Sequence, residues 1–329
     1  MSNKKGLLAL SPLIILIALI ALITIHSAKS SNGASLSLTV AFMVSSIYAV
    51  AISGGMPIKK RIDTYSKGAG ANNLMLMLWI YVLAGAFAAS AKAMGAVDAT
   101  VNMALSILPA SMLLPGLFVA ACFISVSIGT SVGTVVALVP IAAGVAQSLN
   151  ANVGMMTAII VGGAYFGDNL SFISDTTVVA TQTQNCRMSD KFKVNSLIVV
   201  PAAIVVLIIY AMMGTNLHAP SHVVPVEFWK VIPYIMVLIT AIAGKNVMAV
   251  LTMGTLLCGM IGILSHSLGV EQSYDFFGWF SAMGSGIIGM GELVIIAMMA
   301  GGMLEIIREN GGINYIIDKI TAHVNGKRG

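Results

Sequence analysis

Charge is what this chain has least of. Only 9% of its 329 residues are Asp, Glu, Lys or Arg, where a soluble domain carries about 25%. So few charges cannot cover a water-facing surface, which excludes a soluble enzyme or binding module. Aromatic residues are only 7%, and no basic cluster is interleaved with them. The net charge of +5 therefore comes from scattered Lys and Arg and not from a nucleic-acid face. The three cysteines, Cys122, Cys186 and Cys258, form neither a disulfide framework nor a zinc spacing. Hydrophobic residues fill 58% of the chain, and mean hydropathy is +0.95. The expected class is an all-α polytopic membrane protein, with lipid as its surroundings.

Apolar runs at residues 7–25, 36–56 and 74–94 each come close to the ~20 residues that span a bilayer. The first is too long for a signal-peptide core, which is about 7–15 residues. Lys59, Lys60, Arg61 and Lys67 lie between the second and third runs, in a segment read here as a loop. The positive-inside rule puts that loop, and with it the N-terminus, in the cytoplasm. Residues 97–108 suit a short helix near the outer surface. Residues 109–149, with GTSVGT at 129–134, read either as a re-entrant hairpin or as two crossings. Residues 153–183 then cross inward with an interruption at 167–174. Arg187, Lys191 and Lys193 mark a cytoplasmic loop before an outward run at 197–213. Residues 214–226 carry no Lys or Arg, which suits an outside loop.

The second half echoes the first. A shift of 216 residues lays Ala84–Gly85 on Ala300–Gly301, Lys92 on Arg308 and Gly95 on Gly311. The same shift lays Gly68 and Gly70 on Gly284 and Gly286. Residues 1–226 are thus expected to form a first repeat and residues 227–329 a second. Loop charges give the second copy the opposite orientation. Inverted repeats with interrupted helices are a signature of secondary transporters. The second copy ends at the equivalent of residue 113, before the counterparts of the interruptions at 129–134 and 167–174. On this reading the chain is a C-terminally truncated transporter, inactive without a further segment of roughly 90–120 residues.

Residues 162–183, GGAYFGDNLSFISDTTVVATQT, gather more side-chain oxygens than any other apolar region. Asp168 and Asp175 stand out, because a charge costs several kcal/mol in a membrane and marks a pathway or binding site. They lie seven residues apart, about 10.5 Å along an unbroken helix, too far for one small ion. A break between them would bring them closer and expose half-helix ends, which Gly162, Gly163 and Gly167 favour by loosening the backbone. Asn169, Ser171, Thr176 and Thr177 add neutral oxygens, and Thr130, Ser131 and Thr134 could add more from the upstream break. Burial raises a carboxylate's pKa, so a proton and a cation can compete for one group. Plainer roles are also open. Ser174 or Asp175 would cap a half-helix, and Gly129 and Gly133 suit close helix packing.

GDNLSFISDTT at 167–177, preceded by GTSVGT at 129–134, resembles the NhaC-type sodium/proton antiporter family. Phe172 stands where that family usually has proline, and the chain is shorter than the family's members. The resemblance implies a secondary transporter of the bacterial cytoplasmic membrane that exchanges sodium for protons. It implies no cofactor beyond these transported species, with Asp168, Asn169, Ser171, Asp175, Thr176, Thr177, Thr130, Ser131 and Thr134 as candidate cation ligands. Family relatives that exchange malate for lactate make coupled transport of an organic acid or amino acid the alternative. An intramembrane aspartyl protease is disfavoured, because Tyr165 replaces the first glycine of its Gly-x-Gly-Asp. The sequence leaves formation of a homo-oligomer open.

Overall fold

The computed structural model describes residues 3–29, 37–107, 109–171, 174, 176–177, 180–181, 186–215, 217, 227–243, 245–267 and 274–323. Every regular element among them is a helix. In order these are α1 (Asn3–Lys29), α2 (Leu38–Ile52), α3 (Ile58–Ala69), α4 (Asn72–Ala93), α5 (Ala96–Ile107), α6 (Ala110–Ile128) and α7 (Ser131–Ser148). They are followed by α8 (Val153–Leu170), α9 (Met188–Gly214), α10 (Phe228–Ile242), α11 (Val247–Ser267), α12 (Phe276–Gly289), α13 (Gly291–Glu309) and α14 (Gly312–His323). Among the described residues, six stretches are long and apolar enough to cross a membrane: Gly6–His26, Asn72–Ala93, Ser131–Ser148, Ser189–Gly214, Val247–Ser267 and Phe276–Glu309. Pro12, Pro115, Pro140, Pro201 and Pro233 sit inside apolar helices, a placement that membrane helices tolerate. The chain is an all-α polytopic membrane protein.

The chain divides into two compact units. The first comprises residues 1–79 and 290–329. In it α3 crosses α13 backbone to backbone: a Cβ on Gly68 would strike the Gly301 carbonyl and the Glu305 side chain. Tyr65 covers Gly302 in the same crossing, while α1 packs on α14 with Gly6 against the Tyr315 ring. The second unit is residues 80–289. In it α10 packs on α5, and Tyr234 meets Phe87 edge to face at 5.2 Å. There α12 reaches α4 where a Cβ on Gly286 would strike the Gly85 carbonyl and Ala89.

Three expectations change. Residues 58–69 of the expected 58–70 loop are a helix, with Gly70 as its C-cap. Ile58, Ile62 and Tyr65 recur at helical spacing, and no helix breaker interrupts them before Gly68. Arg61 reaches back to the carbonyls of Val50, Ala51 and Met56, so a charge read as a topology marker also caps the end of α2. The basic segment 185–193 is also not all loop, since α9 begins at Met188. Finally, the interruption expected at 167–174 starts later: α8 runs to Leu170, and Ser171 is its C-cap.

Candidate functional site

The site belongs to the second unit and is built from the ends of α6, α7, α8 and α9. Gly129 ends α6 in the left-handed region, at φ 74°, a conformation glycine adopts without penalty. Thr130 then caps α7, its Oγ1 accepting from the Gly133 amide at 3.4 Å. Thr134 is fully buried and donates its hydroxyl to the Thr130 carbonyl at 2.9 Å. Both threonines therefore serve the start of α7, the plainer of their two expected roles. Ser131, in the first turn of α7, points elsewhere: its Oγ donates to Asp168 Oδ2 at 3.3 Å.

Close packing of α8 on α6 holds Asp168 there. Gly163 and Gly167 do not loosen the backbone; they are helical and face α6. A Cβ on Gly163 would lie 2.6 Å from the Phe118 carbonyl oxygen and 2.7 Å from the Ala121 Cβ. On Gly167 it would collide with the Cys122 carbonyl and sit 2.6 Å from the Ser125 Cβ. Hydroxyls bind the same pair: Ser125 Oγ donates to the Ala164 carbonyl at 2.5 Å, and Ser171 Oγ donates to the Val126 carbonyl at 2.8 Å.

Asp168 lies half-buried in the last turn of α8. One oxygen takes the Ser131 hydroxyl, while Oδ1 is buried with no hydrogen-bond partner among the described residues. The carboxylate also faces the first turn of α7, whose amide dipoles favour negative charge. A partnerless buried oxygen is costly unless something fills its place.

The other candidates separate. The Asn169 side chain is exposed, and its Oδ1 accepts from Asn195 Nδ2 at 2.5 Å. Its backbone carbonyl accepts from the Lys191 ammonium. Thr177 is buried and accepts from that same ammonium at 2.9 Å. Thr176 is exposed and shares a 2.9 Å hydrogen bond with Ser174. Asp175 lies outside the described residues. The structure thus brings Asp168 and Ser131 together, with Ser171 bracing α8 on α6. It gives Thr130, Thr134 and Thr176 local partners. Among the described residues no three of His, Cys, Asp and Glu converge as a metal cluster would.

Lys191 was missed as a site residue, having been read only as a loop charge. Its signal was a helical one. Lys191 and Asn195 are four apart and share a face once α9 is extended back to Met188.

Comparison with known proteins places the chain in a family. A family model described as the Na+/H+ antiporter family matches residues 2–215. The Malate-2H(+)/Na(+)-lactate antiporter of Bacillus subtilis (strain 168) is 23% identical over 266 residues, covering 72% of this chain and 57% of that protein. The Na(+)/H(+) antiporter NhaC of the same organism is 23% identical over 289 residues, 78% of this chain and 62% of that protein. An uncharacterised Na(+)/H(+) antiporter of Haemophilus influenzae is 26% identical over 182 residues, 51% of this chain and 39% of that protein. The chain thus spans 57% and 62% of the length of the first two relatives. No solved structure gives a significant match. With more than half of its residues matched by the family model, the chain belongs to the Na+/H+ antiporter family.

Proposed function

We propose that the protein exchanges sodium for protons across the bacterial cytoplasmic membrane, with Asp168 as the group that binds each in turn. The observation that carries this reading is the buried Oδ1 of Asp168, without a hydrogen-bond partner among the described residues, facing the start of α7 with Ser131 on the other oxygen. Among the described residues the site has one carboxylate, which matches the charge of one sodium ion or one proton. Either neutralises the same group, so binding of one excludes the other, and exchange follows if the loaded site alternates between the two sides. Carbonyls at interrupted helix ends are typical sodium ligands in transporters. The Asn169 carbonyl and the Thr177 hydroxyl, the oxygens that Lys191 holds, are the further ligands we assign.

The same reading keeps the N-terminus and residues 58–70 on the cytoplasmic side, because Lys and Arg concentrate there. It also treats residues 1–226 and 227–329 as inverted repeats. Support comes from α5 and α14, which lie 216 residues apart, each preceded by a glycine with φ 80°. Partners are also exchanged crosswise. Gly68 meets Gly301 and Glu305 in one unit, and Gly286 meets Gly85 and Ala89 in the other. These contacts relate Gly68 to Gly286 and not to Gly284, a two-residue slip in the third helix of the repeat. Such exchange makes the compact units differ from the repeats.

A second reading is coupled transport of an organic acid, favoured by Lys191, a cation beside the motif able to receive a carboxylate. The discriminating experiment uses everted membrane vesicles from cells that make the protein at its native locus. Proton movement is followed by acridine-dye fluorescence after pulses of sodium, lithium, malate and lactate. Sodium alone should trigger proton flux. A response only when an organic acid is present would replace the first reading with the second.

A further inference from the structure

Lys191 rises from the first turn of α9 and lays its ammonium across the end of α8. It donates to the Asn169 carbonyl and to the buried Thr177 hydroxyl, and it attracts the Asp168 carboxylate electrostatically. A carbonyl, a hydroxyl and a nearby carboxylate are what a bare monovalent cation would seek at this helix end. The ammonium is itself such a cation, on a four-carbon tether. Asn195, one turn further along α9, holds the Asn169 side chain by a second bond, so α9 fixes the partner of the lysine as well as the lysine.

We propose that Lys191 is a built-in competitor for the transported cation, occupying the ligand oxygens when the site is empty and withdrawing when sodium enters. The inference rests on the cation-site reading above. With Lys191 in place, the emptied carboxylate keeps a counter-charge and the oxygens keep a donor, so release of sodium does not leave a buried charge alone. Lys191 thereby lowers sodium affinity and speeds release. It is a specificity-setting residue and not a ligand. A lysine serving only as a strut for α8 gives the opposite sign, because its loss would disorder Asn169 and Thr177 and weaken binding.

The experiment is equilibrium binding of radioactive sodium to the protein purified from its native membrane, at fixed pH. Wild type is compared with Lys191→Gln, Lys191→Arg and Asp168→Asn. Removing the charge in Lys191→Gln should lower half-saturating sodium by about tenfold, or about 1.4 kcal/mol. Lys191→Arg, which restores a cation, should reverse most of that gain, and Asp168→Asn should lose saturable binding. In vesicles, Lys191→Gln should show a lower half-saturating sodium and a lower maximal proton flux together. If Lys191→Gln binds sodium no tighter than wild type while Asp168→Asn still loses binding, the competitor role is overturned and the cation site stands. If neither wild type nor Lys191→Gln binds sodium saturably, the cation-site reading falls and the competitor role falls with it.

Discussion

At the scale of single residues, the account turns on which oxygens are already committed. Thr130 and Thr134 spend their hydroxyls on the first turn of α7, and Thr176 pairs with Ser174. Ser131 spends its own on Asp168. A hydrogen bond to a charged group contributes about 1.5–3 kcal/mol, and at 3.3 Å this one falls at the weak end. Ser131→Ala is therefore expected to raise half-saturating sodium roughly tenfold while leaving expression and folding intact, measured by sodium titration of proton flux. No change in half-saturating sodium would remove Ser131 from the site. Asp168 was legible in the sequence because an acid in an apolar run has few structural uses. The sorting of the hydroxyls was not, since a capping threonine and a ligating threonine look alike in one dimension. Lys191 was hidden for a different reason: near a helix start, positive charge serves topology as readily as chemistry.

At the scale of elements, the pairing of α6 with α8 sets the position of the carboxylate. The two helices touch where Gly163 and Gly167 remove side chains, and Ser125 and Ser171 fasten the same seam. A branched side chain at Gly167 must push α8 away from Cys122, Ser125 and Val126, one residue from Asp168. Overpacking of this kind costs about 1–3 kcal/mol. Gly167→Val is thus expected to lower the temperature of aggregation by several degrees, read by size exclusion after heating, and to abolish exchange. Gly162→Ala is the control. Its new methyl would meet only Phe118 and Tyr210, at 3.9 and 4.0 Å, so stability should stay near wild type. Equal losses in the two variants would show that the seam does not position the site. Helices α1, α2, α4 and α9 could be placed from apolar runs that approach membrane-spanning length. The helix α3 could not, because its lysines drew attention to topology and away from the spacing of Ile58, Ile62 and Tyr65. The end of α8 was set too early, because glycines read as loosening are here the residues that allow two helices to touch.

At the scale of the whole molecule, large apolar side chains face outward in numbers that water would not tolerate. Leu197, Ile288 and Phe277 are 79%, 80% and 77% exposed; each would gain about 1.5–3 kcal/mol from leaving water, which the bilayer supplies. The orientation proposed for the chain within it rests on the distribution of Lys and Arg. Lys60→Cys and Asp190→Cys, each in a background without Cys122, Cys186 and Cys258, are expected to resist a membrane-impermeant maleimide in intact cells and to react in everted vesicles. Labelling of either in intact cells would reverse the orientation. The central claim is that the half-buried Asp168 carboxylate couples sodium to protons, and sodium-pulsed dye dequenching in everted vesicles tests it most directly. Wild type should discharge an imposed proton gradient on addition of sodium. Asp168→Asn, at equal abundance in the membrane, should lose that response completely; a wild-type rate from the variant would contradict the claim.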